Sequence, residues 1–126
     1  RDYARGLPVL VTENGMASAD GPVAGRIDDA GRIAYLDAHL GAVARAIAEG
    51  VPVGGYIVWS LMDNFEWSWG YDRRFGITHV DYDTQQRTPK DSAKWLTELI
   101  RTRAIPATDP GTWGLDVGSS GQGAGA

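Results

Sequence analysis

The 126-residue sequence contains no cysteine and only two histidines, His39 and His79. Without cysteine there are no disulfides, no zinc–thiolate centres and no thiol nucleophile. The two histidines lie far apart in the chain, which argues against a histidine-based metal site. Positive charge is in deficit, with 12 Lys and Arg against 16 Asp and Glu and a net charge of −4. No basic stripe is therefore available for nucleic acid. No apolar run approaches the roughly 20 residues that a membrane-spanning helix needs. The chain begins at Arg1 rather than Met. Its own beginning is expected to be missing, so neither a leader nor a localisation is read from it.

What remains is a sequence that is 43% hydrophobic and 22% charged, enough for one domain with a real core. It is organised around Leu7-Pro8-Val9-Leu10-Val11-Thr12-Glu13-Asn14-Gly15. Val9, Leu10 and Val11 show no alternation, as in a strand covered on both faces of a parallel sheet. In such sheets ligands gather beyond the carboxyl ends of the strands, which is where Glu13 falls. Asn14-Gly15 then suggests an exit through positive φ. The plainer alternative is a hairpin, since Asn-Gly is also a strong hairpin signal and Glu13 could be an ordinary exposed strand end.

Downstream residues favour the first reading. Met16 to Gly25 reads as a surface loop. Asp28 or Asp29 opens a helix whose stripe is Ile33, Leu36, Leu40, Val43 and Ile47, at steps of three and four. Gly50 ends it, and Pro52 prevents its continuation. A second strand, Val53 to Leu61, completes a βαβ unit, so the two strands must be parallel. If Glu13 faces inward, Val9 and Val11 are expected to do so as well, with Gly55, Ile57 and Trp59 as the matching set. Tyr56 is expected to face the outer helices. Met62 to Phe75 is a loop too aromatic for a linker and too charged for a core. Gly76 to Asp83 and Arg87 to Pro89 suggest a hairpin around Thr84-Gln85-Gln86. Asp91 or Ser92 is expected to cap a last helix bearing Ala93, Leu96, Leu99 and Ile100, with Arg101 and Arg103 at its C-terminal end. The remainder, 104–126, holds Pro106, Pro110 and Trp113, and its low-complexity end is expected to be disordered.

A carboxylate at a strand end beside aromatic faces suits a carbohydrate site. Sugar C–H faces pack on aromatic rings, and sugar hydroxyls pair with carboxylates and indole N–H groups. Retaining glycoside hydrolysis needs two carboxyl groups about 5–5.5 Å apart. Glu13 is one candidate, and the residues alone leave the second open between Glu66 and Asp63. Asp63 and Asn64 are as readily loop hydrogen-bonders. Arg74 is a candidate organiser of the loop, His39 and His79 carry no catalytic signal, and Trp69 and Trp113 read as non-functional.

Thr12-Glu13-Asn14-Gly15, the run from Gly55 to Trp67, Gly70-Tyr71, Arg74-Phe75-Gly76, Val80-Asp81-Tyr82 and Arg87 to Ser92 together closely resemble glycoside hydrolase family 1. The match extends from about Leu7 to Ile100. The resemblance implies a retaining β-glucosidase-like activity on a (β/α)₈ TIM barrel. This chain would be the C-terminal fragment of that α/β fold: strands seven and eight with their helices over 1–103, then a tail over 104–126. Glu13 is implied as the nucleophile and Trp59 as the platform beneath the sugar. Glu66 is implied as partner of the 4- and 6-hydroxyls, Trp67 as a donor to a neighbouring hydroxyl, and Phe75 as an aromatic wall. Glu66 thereby leaves the acid role. A cis Trp59-Ser60 peptide is implied as well. Glu66-Trp67 resembles the pattern for unphosphorylated gluco- and galacto-configured sugars.

No cofactor or metal is implied. The expected partners are a β-glycoside or oligosaccharide and the missing N-terminal part of the barrel. The family's acid/base glutamate sits in an Asn-Glu-Pro motif after the fourth strand, and that tripeptide does not occur in this sequence. Two readings follow. One is a glycosidase segment that is inactive alone because it lacks the acid/base. The other is a non-catalytic fragment, or a weak carbohydrate-binding or structural module.

Overall fold

In a computed structural model the structure describes residues 6–106. The elements run β1 (Val9–Asn14), α1 (Ala30–Ala48), β2 (Val53–Val58), a 3₁₀ turn (Trp67–Trp69), β3 (Thr78–Val80), β4 (Arg87–Pro89) and α2 (Asp91–Thr102). β1 and β2 pair in parallel through the α1 crossover, and β3 and β4 form a short antiparallel hairpin. The expectation that the last helix follows a hairpin holds. Two expected spans are too long, since β2 ends at Val58 and β3 covers only Thr78–Val80, whereas β4 runs Arg87–Pro89 as expected. Residues 107–126, including Pro110 and Trp113, lie outside the described residues.

The core is built where the two helices meet the outer face of the sheet. Ile33 and Leu36 of α1 close around Trp95 of α2, with Tyr56, Val58, Leu40, Leu96 and Leu99 packed against them. Trp95 is fully buried, yet the apolar spacing of α2 does not single it out. Tyr56 faces the helices as expected, and desolvation, followed by the charge of Tyr35, pushes its phenol up to about 12. It therefore stays neutral and donates to Asn14 Oδ1 at 2.5 Å. Beyond Leu40 the α1 stripe outruns the two-stranded sheet, and Ile47 is exposed.

Three local expectations are corrected. First, Val9 and Val11 do not share a face with Glu13. Val11 is level with Tyr56, on the helix side, while Leu10 is level with Gly55 on the opposite face. A register shift between Val11 and Asn14, one extra residue on β1, resets the alternation. Second, Gly15 is absent from the positive-φ residues, which include Gly25, Gly50 and Gly70. A Cβ at Gly15 would instead run into the backbone carbonyl of Trp59, so it is close approach that demands glycine. Third, neither Asp91 nor Ser92 caps α2, whose N-cap residue is Lys90 and makes no side-chain cap bond. The orphan N–H of Ser92 is met from another element, by Asp29 Oδ1 at 2.8 Å. Asp29 occupies the N-cap position of α1 without capping it by its side chain, and Asp28 Oδ1 accepts from Ala30 N at 3.0 Å instead.

A buried charge chain ties these elements together. Asp29, Arg32, Asp20, Lys90, Asp63 and Arg74 alternate in sign through contacts of 2.5, 2.6, 2.7, 3.0 and 2.7 Å. Alternation leaves no buried charge without an opposite neighbour, which such groups require. Desolvation is the largest influence on Asp20 and pushes it up, but Lys90, Ser18 and Arg32 together hold it below the usual carboxylate range. Asp91 follows the same pattern, with Arg26 and Lys94 outweighing desolvation. Both groups bind a proton less readily folded than unfolded. Their stabilisation is thus present above about pH 4 and lost as pH falls through the folded values. The urea midpoint of a folded protein carrying this segment is expected to hold above about pH 4 and to fall steeply below it, as a pH series of unfolding curves would show.

Candidate active site

The parallel crossover delivers the carboxyl ends of β1 and β2 to one rim. Trp59 N donates to Asn14 O at 2.8 Å, continuing the ladder just past β2. Asn14 turns its side chain to the helix face, where Tyr56 reaches it. Its neighbour Glu13 therefore projects to the opposite face, the one shared by Ile57 and Trp59. Trp59 is 39% exposed there, and Glu13 is exposed. Among the described residues no hydrogen bond or ion pair engages the Glu13 carboxylate. The Trp59-Ser60 peptide is cis, as the resemblance implied.

The loop that follows is anchored at both ends. Ser60 N donates to Phe75 O at 3.1 Å, Ile77 N to Ser60 O at 2.9 Å and Asp63 N to Thr78 O at 3.0 Å. Phe75 is thereby seated, half-buried, beside the cis peptide. Asp63 holds the loop from within: its carboxylate accepts from Gly76 N, Arg74 Nη1, Lys90 Nζ and Val80 N. A carboxylate so enclosed and so fully engaged cannot serve as a second catalytic acid, and its alternative as a loop hydrogen-bonder is the one realised. Arg74 also donates to Val80 O at 2.9 Å and stacks over Tyr82, so it does organise the loop.

Glu66 and Trp67 occupy the loop tip. Glu66 closes the turn through its backbone, donating to Gly70 O at 2.6 Å and accepting from Trp69 N. Trp67, at φ 41, is 83% exposed. Behind the tip, Phe65, Tyr71 and Tyr82 form an aromatic row with centroids 5.5 and 4.4 Å apart. The structure thus brings Glu13, Trp59 and Phe75 to one rim and leaves Glu66 and Trp67 at the outer end of the same loop. Trp69 is covered by the Arg73 guanidinium at 4.8 Å. His79 is buried in the hairpin, and desolvation pushes it below its ordinary value. His39 stacks on Tyr35 in α1.

Nothing in the sequence singles out Asp20, Arg32 or the side chain of Lys90. Most of their partners lie 12 to 70 positions away, so little local spacing marks them. The one faint signal is Asp29–Arg32 at i, i+3, flanking the apolar stripe.

Residues 1–105 match the sequence model of glycosyl hydrolase family 1. The chain belongs to that family. The bifunctional β-D-glucosidase/β-D-fucosidase of Bifidobacterium breve is 53% identical over 104 residues, which are 79% of this chain and 23% of that protein. The 6-phospho-β-galactosidase of Streptococcus equi subsp. zooepidemicus is 48% identical over 82% of this chain and 22% of its own length. Among solved structures, the family 1 β-glucosidase from Thermotoga maritima superposes with a TM-score of 0.80 and 45% identity, covering 84% of this chain and 25% of that one. This family 1 chain therefore spans about a quarter of the length of the relatives it matches. It is a partial α/β unit of a glycosidase family built on the TIM barrel.

Proposed function

We propose that this family 1 chain supplies the nucleophile and part of the sugar subsite of a retaining β-glycosidase acting on terminal non-reducing β-D-glucosyl residues. In this reading β1 and β2 are strands seven and eight of the barrel. The observation that carries it is the emergence of Glu13 and Trp59 side by side from neighbouring parallel strands. Glu13 attacks the anomeric carbon as the bond to the leaving oxygen breaks, and an acid from the rest of the barrel protonates that oxygen. The same group then deprotonates water, which displaces Glu13 and releases the sugar. Trp59 lies under the ring, Phe75 closes its side, Glu66 accepts from the 4- and 6-hydroxyls, and the Trp67 indole donates to an adjacent hydroxyl.

A second reading, a 6-phospho-β-glycosidase, draws on the name of the streptococcal relative. The carboxylate of Glu66 disfavours it, because a phosphate at the 6-position would meet like charge. The test joins this chain to the first three quarters of a family 1 barrel. The joined protein is expected to hydrolyse nitrophenyl β-glucoside in preference to its 6-phosphate, and a fluorinated glucoside is expected to label Glu13. The 126-residue chain alone is expected to release no nitrophenol, since it lacks the Asn-Glu-Pro glutamate. Turnover by the chain alone, or labelling elsewhere in the joined protein, would overturn the assignment. Sugar binding without turnover in the joined protein would favour a non-catalytic module.

A further inference from the structure

Arg32 sits on α1, yet its side chain is wholly buried and most of its bonds leave the helix. Nη1 donates to Asp20 Oδ2 at 2.6 Å and to Asp29 Oδ2 at 2.5 Å. Nη2 donates to Ser18 Oγ at 2.6 Å, Arg74 O at 2.8 Å and Met16 O at 3.4 Å. Met16, Ser18 and Asp20 belong to the loop that leaves Glu13. Arg74 precedes Phe75 in the loop that leaves Trp59. The two loops are joined by a short bridge, where Ser18 and Arg74 exchange both backbone bonds at 3.0 Å. Arg32 lies behind that bridge and grips both strands of it.

From this geometry we infer that Arg32 is a positioning residue: its buried guanidinium locks the loop after Glu13 to the loop before Phe75 and so sets the gap between nucleophile and sugar-binding wall. The inference rests on Glu13 being the nucleophile. Stability alone is a poor account of such a group, because buried ion pairs are often matched in stability by apolar replacements. A planar fork instead fixes several acceptors at set angles, which a lysine ammonium cannot do. The lock is transmitted to the site by tight contacts. Gly15 abuts the Trp59 carbonyl, and the Phe75 carbonyl holds Ser60 N. A slip between the loops therefore moves Glu13 against Trp59 and Phe75.

The experiment uses the joined barrel and counts working sites by labelling with a fluorinated glucoside. In Arg32→Lys, kcat per labelled site is expected to fall about 10²-fold, the cost of a misplacement of about 1 Å, with a much smaller change in KM. The pH profile should keep its position, because Arg32 does not touch Glu13. Ser18→Ala, which deletes one hydrogen bond to the guanidinium and the one Ser18 donates to Asp20 but leaves the backbone bridge, is expected to lose about tenfold. It provides the measurement if the lysine variant fails to fold. A purely structural role would lower the number of labelled sites or the melting temperature and leave kcat per labelled site within about twofold. That result in the folded variants overturns the role of Arg32 alone. Failure of the unaltered barrel to label at Glu13 overturns both this role and the assignment beneath it.

Discussion

Replacing Glu13 by glutamine in the joined barrel is expected to lower kcat/KM for nitrophenyl β-glucoside by about 10⁴-fold or more, on the scale of losing a covalent nucleophile. The amide has nearly the shape of the carboxylate but cannot form the ester bond to the anomeric carbon. In the proposed site Trp59 and Phe75 remain in place, so a competitive inhibitor is expected still to bind. A companion variant sharpens the test. Glu13→Gly opens a space beside Trp59 at the end of β1, and azide entering it can attack from the nucleophile's side. The glucosyl azide formed should have the inverted anomeric configuration, as expected of a single displacement. A loss of under about tenfold in Glu13→Gln, or an azide product of retained configuration, would remove Glu13 from the role.

The second large effect is expected at Lys90→Met. Lys90 is fully buried, and its ammonium lies 2.7 Å from Asp20 and 3.0 Å from Asp63. Methionine fills much of the same volume, so little of the loss would come from packing. What changes is charge. Among the described residues Asp20 then keeps only Arg32 as its cationic partner and Asp63 only Arg74, both in the interior. Removing one member of a buried ionic cluster typically costs about 3–5 kcal/mol, a large part of a domain's net stability. Urea unfolding of the joined barrel should show a lowered midpoint at unchanged slope. Arg101→Ala serves as the control. It breaks the exposed Arg101–Glu98 pair on α2 and should leave the midpoint unmoved. If the two substitutions shift the midpoint equally, the charge chain is not what holds this end of the fold.

The two cases differ in how far they could be read before folding. The placement of Glu13 and Trp59 at one rim follows from residue order, since a long amphipathic helix between two apolar strands permits only the parallel crossover. The signals for α1 were strong: the stripe from Ile33 to Leu40, Gly50 at φ 85 and Pro52 all act within a few residues. The phase of β1 was not legible, because one extra residue before Asn14 reverses the alternation without leaving a mark in composition. The central place of Trp95 is not legible for a related reason. Which residue of α2 becomes central depends on where α1 crosses it. The roles of Asp29 and Gly15 are not legible locally because each answers to a group outside its own segment, the amide of Ser92 and the carbonyl of Trp59.

The amino-acid order by itself determined the βαβ succession, the parallel pairing of the first two strands, the aromatic loop beyond them and the resemblance to a glycosidase family. All of these rest on periodicity or on contiguous residues. Only the tertiary structure decided that Asp63 is an enclosed anchor rather than an acid, that the Asp29 side chain meets the Ser92 amide of α2 rather than an amide of α1, and that Arg32 binds two loops together. Charge pairing in an interior is settled by which groups are driven out of water at the same place. That meeting joins positions as far apart as Asp20 and Lys90, and no local pattern records it.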